Sequence, residues 1–356
     1  MLSSMKKRYL FIFIAVIGGI IYLVRPATTG IPVASVRDTL LHTEATRIIS
    51  FCKHPIPIII MGLDAGDRRF VGIHPDAKLS MQSNVLNKYF PGFQQLSGNV
   101  CSKAFSPNIE EMMRLKPDLV LTWNRYSEAI AQMQGFGFNV LGINYDGSDQ
   151  NDRDMVHIVA KAIGREQMAD SIMQWRDTTL RHIKAVSDAV PSIKKPKVIF
   201  FYNYKTLRVG GEKCYENFCI NLAGGRNMGA GLGIDRDVNV EQLLEWDPDI
   251  ILFGGWMSNI TPDDIYQNPF FADMSAVRNR RVFKMPIWAS NESVLIWKWM
   301  AEIMQPQLFN YNLRADIRAS YAWQYKINLT EDDIDQVLFC KTNAGSPFYT
   351  NFKRRQ

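Results

Sequence analysis

Long hydrophobic runs are almost missing from this sequence. Tyr9–Val24 is the single extended charge-free apolar stretch in 356 residues, and the mean hydropathy is −0.13. A polytopic membrane protein is thereby excluded. The short motifs that usually carry chemistry are missing too: there is no G-x-S-x-G, no P-loop and no H-E-x-x-H, and Gly229-Ala230-Gly231-Leu232-Gly233 is too compact for G-x-G-x-x-G. Catalysis is therefore disfavoured. Cysteines number five and histidines five, with no C-x-x-C or H-x-x-x-H spacing, so a structural zinc site is not expected. Acidic residues are absent from residues 1–30, which hold Lys6, Lys7, Arg8 and Arg25; setting these four aside lowers the net charge from +6 to +2. No Lys/Arg stripe interleaved with aromatics occurs elsewhere, and nucleic-acid binding is not expected.

What is present is a globular composition, 47% hydrophobic and 21% charged, on a chain long enough for about two domains. The basic cluster followed by Tyr9–Val24 reads as an export segment over residues 1–30, either a signal peptide or a membrane anchor; at 16 residues the apolar run lies between the two ranges. Export permits disulfides, and Cys214 with Cys219 or Cys52 with Cys101 are candidate pairs, leaving Cys340 over.

The most informative feature is a gapless repeat. Residues 108–121, NIEEMMRLKPDLVL, match residues 239–252, NVEQLLEWDPDIIL, at an offset of 131. Asn108 and Asn239 predict N-caps, with Glu111 and Gln242 as capping-box partners. Pro117 and Pro248 end the two helices, and Leu119–Leu121 and Ile250–Phe253 read as buried parallel strands. Further strands are predicted at 47–51, 69–73, 139–143, 197–202 and 281–285, and a helix ending at glycines over 221–227. The proline-free stretch from Asp152 to about Ala189 has helical apolar spacing and predicts one long connecting helix, interrupted near Gly164. Residues 292–309 predict an apolar helix, 311–340 a polar helical segment.

The expected architecture is α/β: two Rossmann-like lobes with parallel sheets, joined by one long α-helix, with a ligand cleft between them. The boundaries are residues 1–30 for the export segment, 45–150 for the N-terminal lobe, 151–190 for the connecting helix, 195–340 for the C-terminal lobe and 341–356 for an exposed, partly disordered tail. Large aromatics follow the strand ends, and Phe105, Trp123, Tyr202, Tyr204, Trp256 and Trp288 are candidate ligand contacts, because rigid faces bury much apolar area at small entropic cost. Arg125 and Arg208 are candidates for an anionic ligand's charges, Arg208 the better placed, with surface solvation as the alternative. His54 and His74, near lobe-one strand ends, are weak candidates for contact with a metal centre; no resident cofactor is expected. Glu110 and Glu241 occupy equivalent second helical positions, where a carboxylate favours the helix dipole but also offers matched charges to a two-fold partner.

These landmarks together, with RIISF at 47–51, FVGIHP at 70–75, NLAGGRN at 221–227 and AVRNRRVFKMPIW at 276–288, make residues 45–340 resemble the substrate-binding proteins of ABC importers for iron–siderophore, haem and vitamin B12 complexes. The resemblance implies a monomeric, extracytoplasmic solute-binding protein that carries a metal-chelate ligand to a dimeric ABC permease and its ATPase. It implies docking of Glu110 and Glu241 on permease arginines, and ligand contact by Trp123. His54-Pro55-Ile56-Pro57 departs from the family's usual Thr-Glu after the first strand, so that loop is expected to be adapted to another ligand. A membrane-anchored ligand sensor and a chelatase-like metal-insertion enzyme are the alternative readings. The ligand itself is not fixed by the sequence.

Overall fold

Short apolar segments form parallel strands where helices carry the chain back across a sheet. The protein is represented by a computed structural model that describes residues 44–354; the export segment expected over 1–30 lies outside the described residues. The first sheet contains β1 (Ile48–Ser50), β2 (Phe70–Ile73), β3 (Leu119–Trp123) and β4 (Val140–Ile143), in the order β2-β1-β3-β4 and parallel throughout. β1 and β3 are buried at every residue, as helix cover on both faces requires.

The second sheet contains β5 (Lys197–Asn203), β6 (Arg208–Gly210), β7 (Arg226–Asn227), β8 (Asp235–Asp237), β9 (Ile250–Gly254) and β10 (Val282–Met285). Its order is β10-β9-β5-β6-β8, with β7 beside β5. β5, β9 and β10 are parallel as expected, but β6 and β8 pair antiparallel, so this sheet is mixed rather than parallel. The reason is the connection: residues 204–207 form a tight turn, closed by the Leu207 N–H to the Tyr204 carbonyl at 3.2 Å, and so short a link cannot cross over to a parallel partner. β8 reads Asp-Arg-Asp, with no apolar pattern to announce it.

The repeat folds twice into the same unit. Asn108 accepts from the Glu111 N–H and Asn239 from the Gln242 N–H, starting helices Ile109–Leu115 and Val240–Trp246. The reciprocal half of each capping box does not form: Glu111 turns to Ser97 and Arg114, and Gln242 to Glu245. Both helices end on a left-handed non-glycine residue, Lys116 and Asp247. Asp118 then accepts from the Arg47 N–H at 2.9 Å and Asp249 from the Lys197 N–H at 2.7 Å, each pinning the start of the neighbouring strand.

Between the sheets run two helices, Asp149–Ala162 and Glu166–Ser187, separated at Gly164, whose φ of +65° ends the first. The two helices pack together, and the second packs against helix Ser293–Met304. The region after it is two helices, Leu313–Gln324 and Glu331–Val337, not one segment. Over its described residues the tail is regular and only partly exposed: 3₁₀ turns Thr342–Gly345 and Pro347–Phe352 bury Tyr349 and Phe352 against Trp299, while Lys341, Pro347, Lys353 and Arg354 face solvent. Aromatic side chains with so much apolar surface are stabilised by that packing. All five cysteines are buried free thiols, so neither suggested disulfide is present. Among the described residues no helix is long and apolar enough to cross a membrane.

Candidate functional site

In an open α/β sheet the loops at the strand C-termini converge, and here they enclose a cavity of about 630 Å³. Lys53, His54 and Pro55 reach it after β1, Arg125 and Tyr126 after β3, Tyr145 after β4, Trp256 after β9, and 286–290 after β10. Trp123 lines it from the last residue of β3 and Tyr202 from the last but one of β5. Tyr215, Glu216 and Cys219 enter from helix Tyr215–Leu222, and Asp152 from the first connecting helix. A larger hollow of about 790 Å³ among 332–354 is less suited to a ligand, because Arg354 there is engaged by Asp332 and Asp335.

The cavity walls are mostly ring faces. Phe105, held at φ +68°, stacks on Tyr126 with centroids 4.1 Å apart, and Trp123 meets the edge of Tyr145 at 6.2 Å. Tyr202 lies 5.9 Å from Trp256, which is 42% exposed. Trp288 is nearly fully buried and shapes the wall from behind. A second pocket of about 540 Å³ adjoins the first, sharing Lys53, His54, Trp256 and Ile287.

Polar groups are fewer and more specific. Lys53 pairs with Asp76 at 2.6 Å and lies over the Phe105 ring. Arg176, 1% exposed, joins Asp149 and Asp152, donates to the Ser290 carbonyl at 3.1 Å and covers the Trp297 ring. The Tyr202 hydroxyl donates to Glu216, whose pKa burial raises despite that hydrogen bond. His54 faces open cavity yet is ringed by protein, and desolvation pushes its imidazole down to about 4, so it is neutral at physiological pH.

Of the candidate residues, Phe105, Trp123, Tyr202, Trp256 and Trp288 line this one cavity, together with His54 and Arg125. Three others are corrected. Tyr204 packs on Phe201 and Phe271 and accepts from Asn268 at 2.8 Å, because β5 ends at Asn203 and the turn delivers its ring to the other side of the sheet. Arg208 is held by Asp237 at 2.7 Å across the β6–β8 pair, away from the cavity; of the two arginines, Arg125 is the one that lines it. His74 is buried as the cap of helix Pro75–Met81, its Nδ1 accepting from the Asp76 N–H at 3.0 Å. The expected loop 54–57 is a short turn, His54-Pro55, that runs directly into helix Ile56–Asp64. Among the described residues no three His, Cys, Asp or Glu side chains converge to hold a metal ion. Lys53 and Tyr145 were legible by the same strand-end rule that picks out Trp123. Tyr215 and Glu216 carry no comparable signal, since their helix points into the cavity only through tertiary packing.

Glu110 and Glu241 are exposed, and among the described residues neither has a hydrogen-bond or ionic partner. One turn on, Met113 and Leu244, again equivalent in the repeat, expose 49% and 41% of their surface.

A family model for periplasmic binding proteins matches residues 98–287, more than half the chain. A periplasmic solute binding protein from Veillonella parvula has a similar structure, with a TM-score of 0.76 and 30% identity, covering 86% of this chain and 94% of that one. The molybdate-binding protein MolA of Haemophilus influenzae is 23% identical over 286 residues, 72% of this chain and 79% of its own. The iron(3+)-hydroxamate-binding protein FhuD of Bacillus subtilis is 24% identical over 260 residues, 70% and 79% of the two chains. With its paired α/β sheets and strand-end cavity, this chain belongs to the periplasmic binding protein family.

Proposed function

We propose that the protein captures a metal-chelate ligand, an iron–siderophore, haem or corrinoid, in the aromatic cavity and delivers it to a dimeric ABC permease without altering it. The observation that carries this is the cavity itself: about 630 Å³, walled by Phe105, Trp123, Tyr126, Tyr202 and Trp256 at the strand ends of both sheets. Such walls suit a bulky, flat or compact apolar body better than a small ion. The iron–hydroxamate ligand of one relative is of this class. Tyr204, Arg208 and His74 are not part of this site. His54 adds a neutral imidazole to it.

Delivery is assigned to Glu110 and Glu241. Each is an exposed, unpaired carboxylate at the same place in its repeat, beside an exposed apolar side chain, and two such patches match a two-fold permease surface with cationic residues. The protein acts as a monomer outside the cytoplasm, exported by residues 1–30. The test is transport in vesicles bearing the cognate permease and ATPase. Glu110→Ala with Glu241→Ala is expected to abolish uptake while ligand affinity stays unchanged; undiminished uptake overturns the docking assignment. Turnover of a tetrapyrrole and a metal ion by the purified protein, instead of stoichiometric binding, overturns the transport reading.

A further inference from the structure

Most of the charge around the cavity is answered within the protein. Lys53 holds Asp76 at 2.6 Å, and Asp152 is met by Arg176 at 2.8 Å and by the Ser293 hydroxyl at 3.1 Å. Two lining charges are left over. Arg125 has no carboxylate partner among the described residues; it lies only over the rings of Trp123 and Tyr126, at 5.8 and 5.1 Å. Among the described residues Glu216 has no cationic partner and accepts only from its Tyr202 neighbour and groups of its own turn, Cys214 and its own backbone. They come from different sheets: Arg125 follows β3, and Glu216 is the second residue of the helix that follows β6.

Glu216, half-buried in an aromatic wall without a counter-charge, is destabilising unless something else answers it, whereas Arg125 is exposed and keeps its charge in water, free to meet a ligand at the rim. Resting on the proposed reading of this cavity as the ligand site, we infer that the ligand is bipolar, placing an anionic group against Arg125 and a protonated amine or similar hydrogen-bond donor against Glu216, with its apolar or chelated body between Trp123, Tyr202 and Trp256. The arrangement discriminates as well as attracts. A small symmetric oxyanion such as molybdate would satisfy Arg125 but leave Glu216 facing like charge, so the ligand differs in kind from that of MolA. A neutral chelate would leave both groups unanswered, and sites whose polar groups go unpaired reject such ligands strongly.

Three probes with one core separate the two contacts: the iron(III) complex of desferrioxamine B, whose free amine is protonated, its N-acetyl derivative, which is uncharged there, and its N-succinyl derivative, which ends in a carboxylate. Dissociation constants are measured by calorimetry on the full chain. The wild type is expected to bind the amine form about tenfold tighter than the acetyl form, and the succinyl form about fivefold tighter, Arg125 being more solvated than Glu216. Glu216→Gln removes only the first difference, and Arg125→Gln only the second. Equal affinity of the wild type for all three overturns bipolar recognition and leaves the metal-chelate reading intact; this comparison needs no variant to fold. Variants that weaken all three probes alike overturn the assignment of the two contacts. No binding of any probe overturns the iron–siderophore form of the reading and this inference with it.

Discussion

Arg176 shows how one residue can tie the site to the scaffold. It is almost fully buried in the second connecting helix, yet it is ionically paired with Asp149 and Asp152 of the first and donates to the Ser290 carbonyl and the Tyr215 hydroxyl, all at the cavity floor. Its removal would strand two acids in a place of low solvation. Arg176→Met is expected to lower unfolding stability by about 3–5 kcal/mol in urea titrations, and a loss below about 1 kcal/mol would contradict the role assigned here. Glu292, fully buried before helix Ser293–Met304, receives the Ala289 N–H at 3.0 Å, and desolvation raises its pKa from 4.5 to about 7. The folded chain therefore binds more protons than the unfolded chain between those values, and stability contributed here falls as pH rises from about 4.5 to about 7, then levels off. The span is worth roughly 3 kcal/mol. Glu292→Gln should flatten that slope in melts across this window; an unchanged slope would show that another group sets it. Residue chemistry of this kind was the least readable from sequence. Trp123 and Trp256 could be placed because they follow apolar runs, whereas Glu216 and Tyr215 reach the cavity only because helix Tyr215–Leu222 packs against helix Ser293–Met304. Tyr204 was grouped with Tyr202 because both follow the apolar run 197–201, but the strand ends at Asn203 and the turn carries Tyr204 away.

At the scale of elements, the two repeat units show which local signals are strong enough to act alone. An asparagine whose side chain takes the N–H three residues on, an apolar face, and a proline that forbids continuation together define helices Ile109–Leu115 and Val240–Trp246, and both units obey. Asn108→Ala and Asn239→Ala should each cost about 1 kcal/mol, and because the caps lie in separate sheets the losses should add. Strongly unequal or non-additive losses in denaturant titrations would argue against equivalent units. The glutamine or glutamate three residues after each cap was a fair capping-box signal, but at this surface Arg114 and Ser97 compete for Glu111 and win, lowering its pKa to about 2. β6 and the edge strand β8 escaped notice because three residues are too few to show an apolar period; their pairing comes from the turn and from Arg208 with Asp237.

At the scale of the molecule, the connection between sheets is stiffer than a pair of flexible strands would be. The connecting helices pack on each other, Lys88 of lobe one reaches Asp333 of the C-terminal helices at 2.7 Å, and the Tyr89 hydroxyl donates to Asp333 at 2.6 Å. Burial works against the Asp333 carboxylate, yet Lys88, Thr330 and Tyr89 outweigh it and hold its pKa far below the usual range. Gly147, at φ +75°, lies so close to Lys213 that an added Cβ would sit 2.3 Å from its carbonyl oxygen, another tight contact between segments of the two lobes. Ligand capture should therefore involve a few degrees of rocking, and solution scattering from free and liganded protein should nearly superimpose; a large domain closure would contradict this. The two-lobe plan was readable because the repeat announced it, while the ties between lobes were not, since they join residues as far apart as Lys88 and Asp333. The most direct test of the account is native mass spectrometry of the protein recovered from its own cells. One small molecule per chain, carrying a metal isotope pattern and lost from the Trp123→Ala/Trp256→Ala variant, is the predicted result. A stoichiometric cargo without metal, or one retained in full by that variant, would contradict the metal-chelate cavity proposed here.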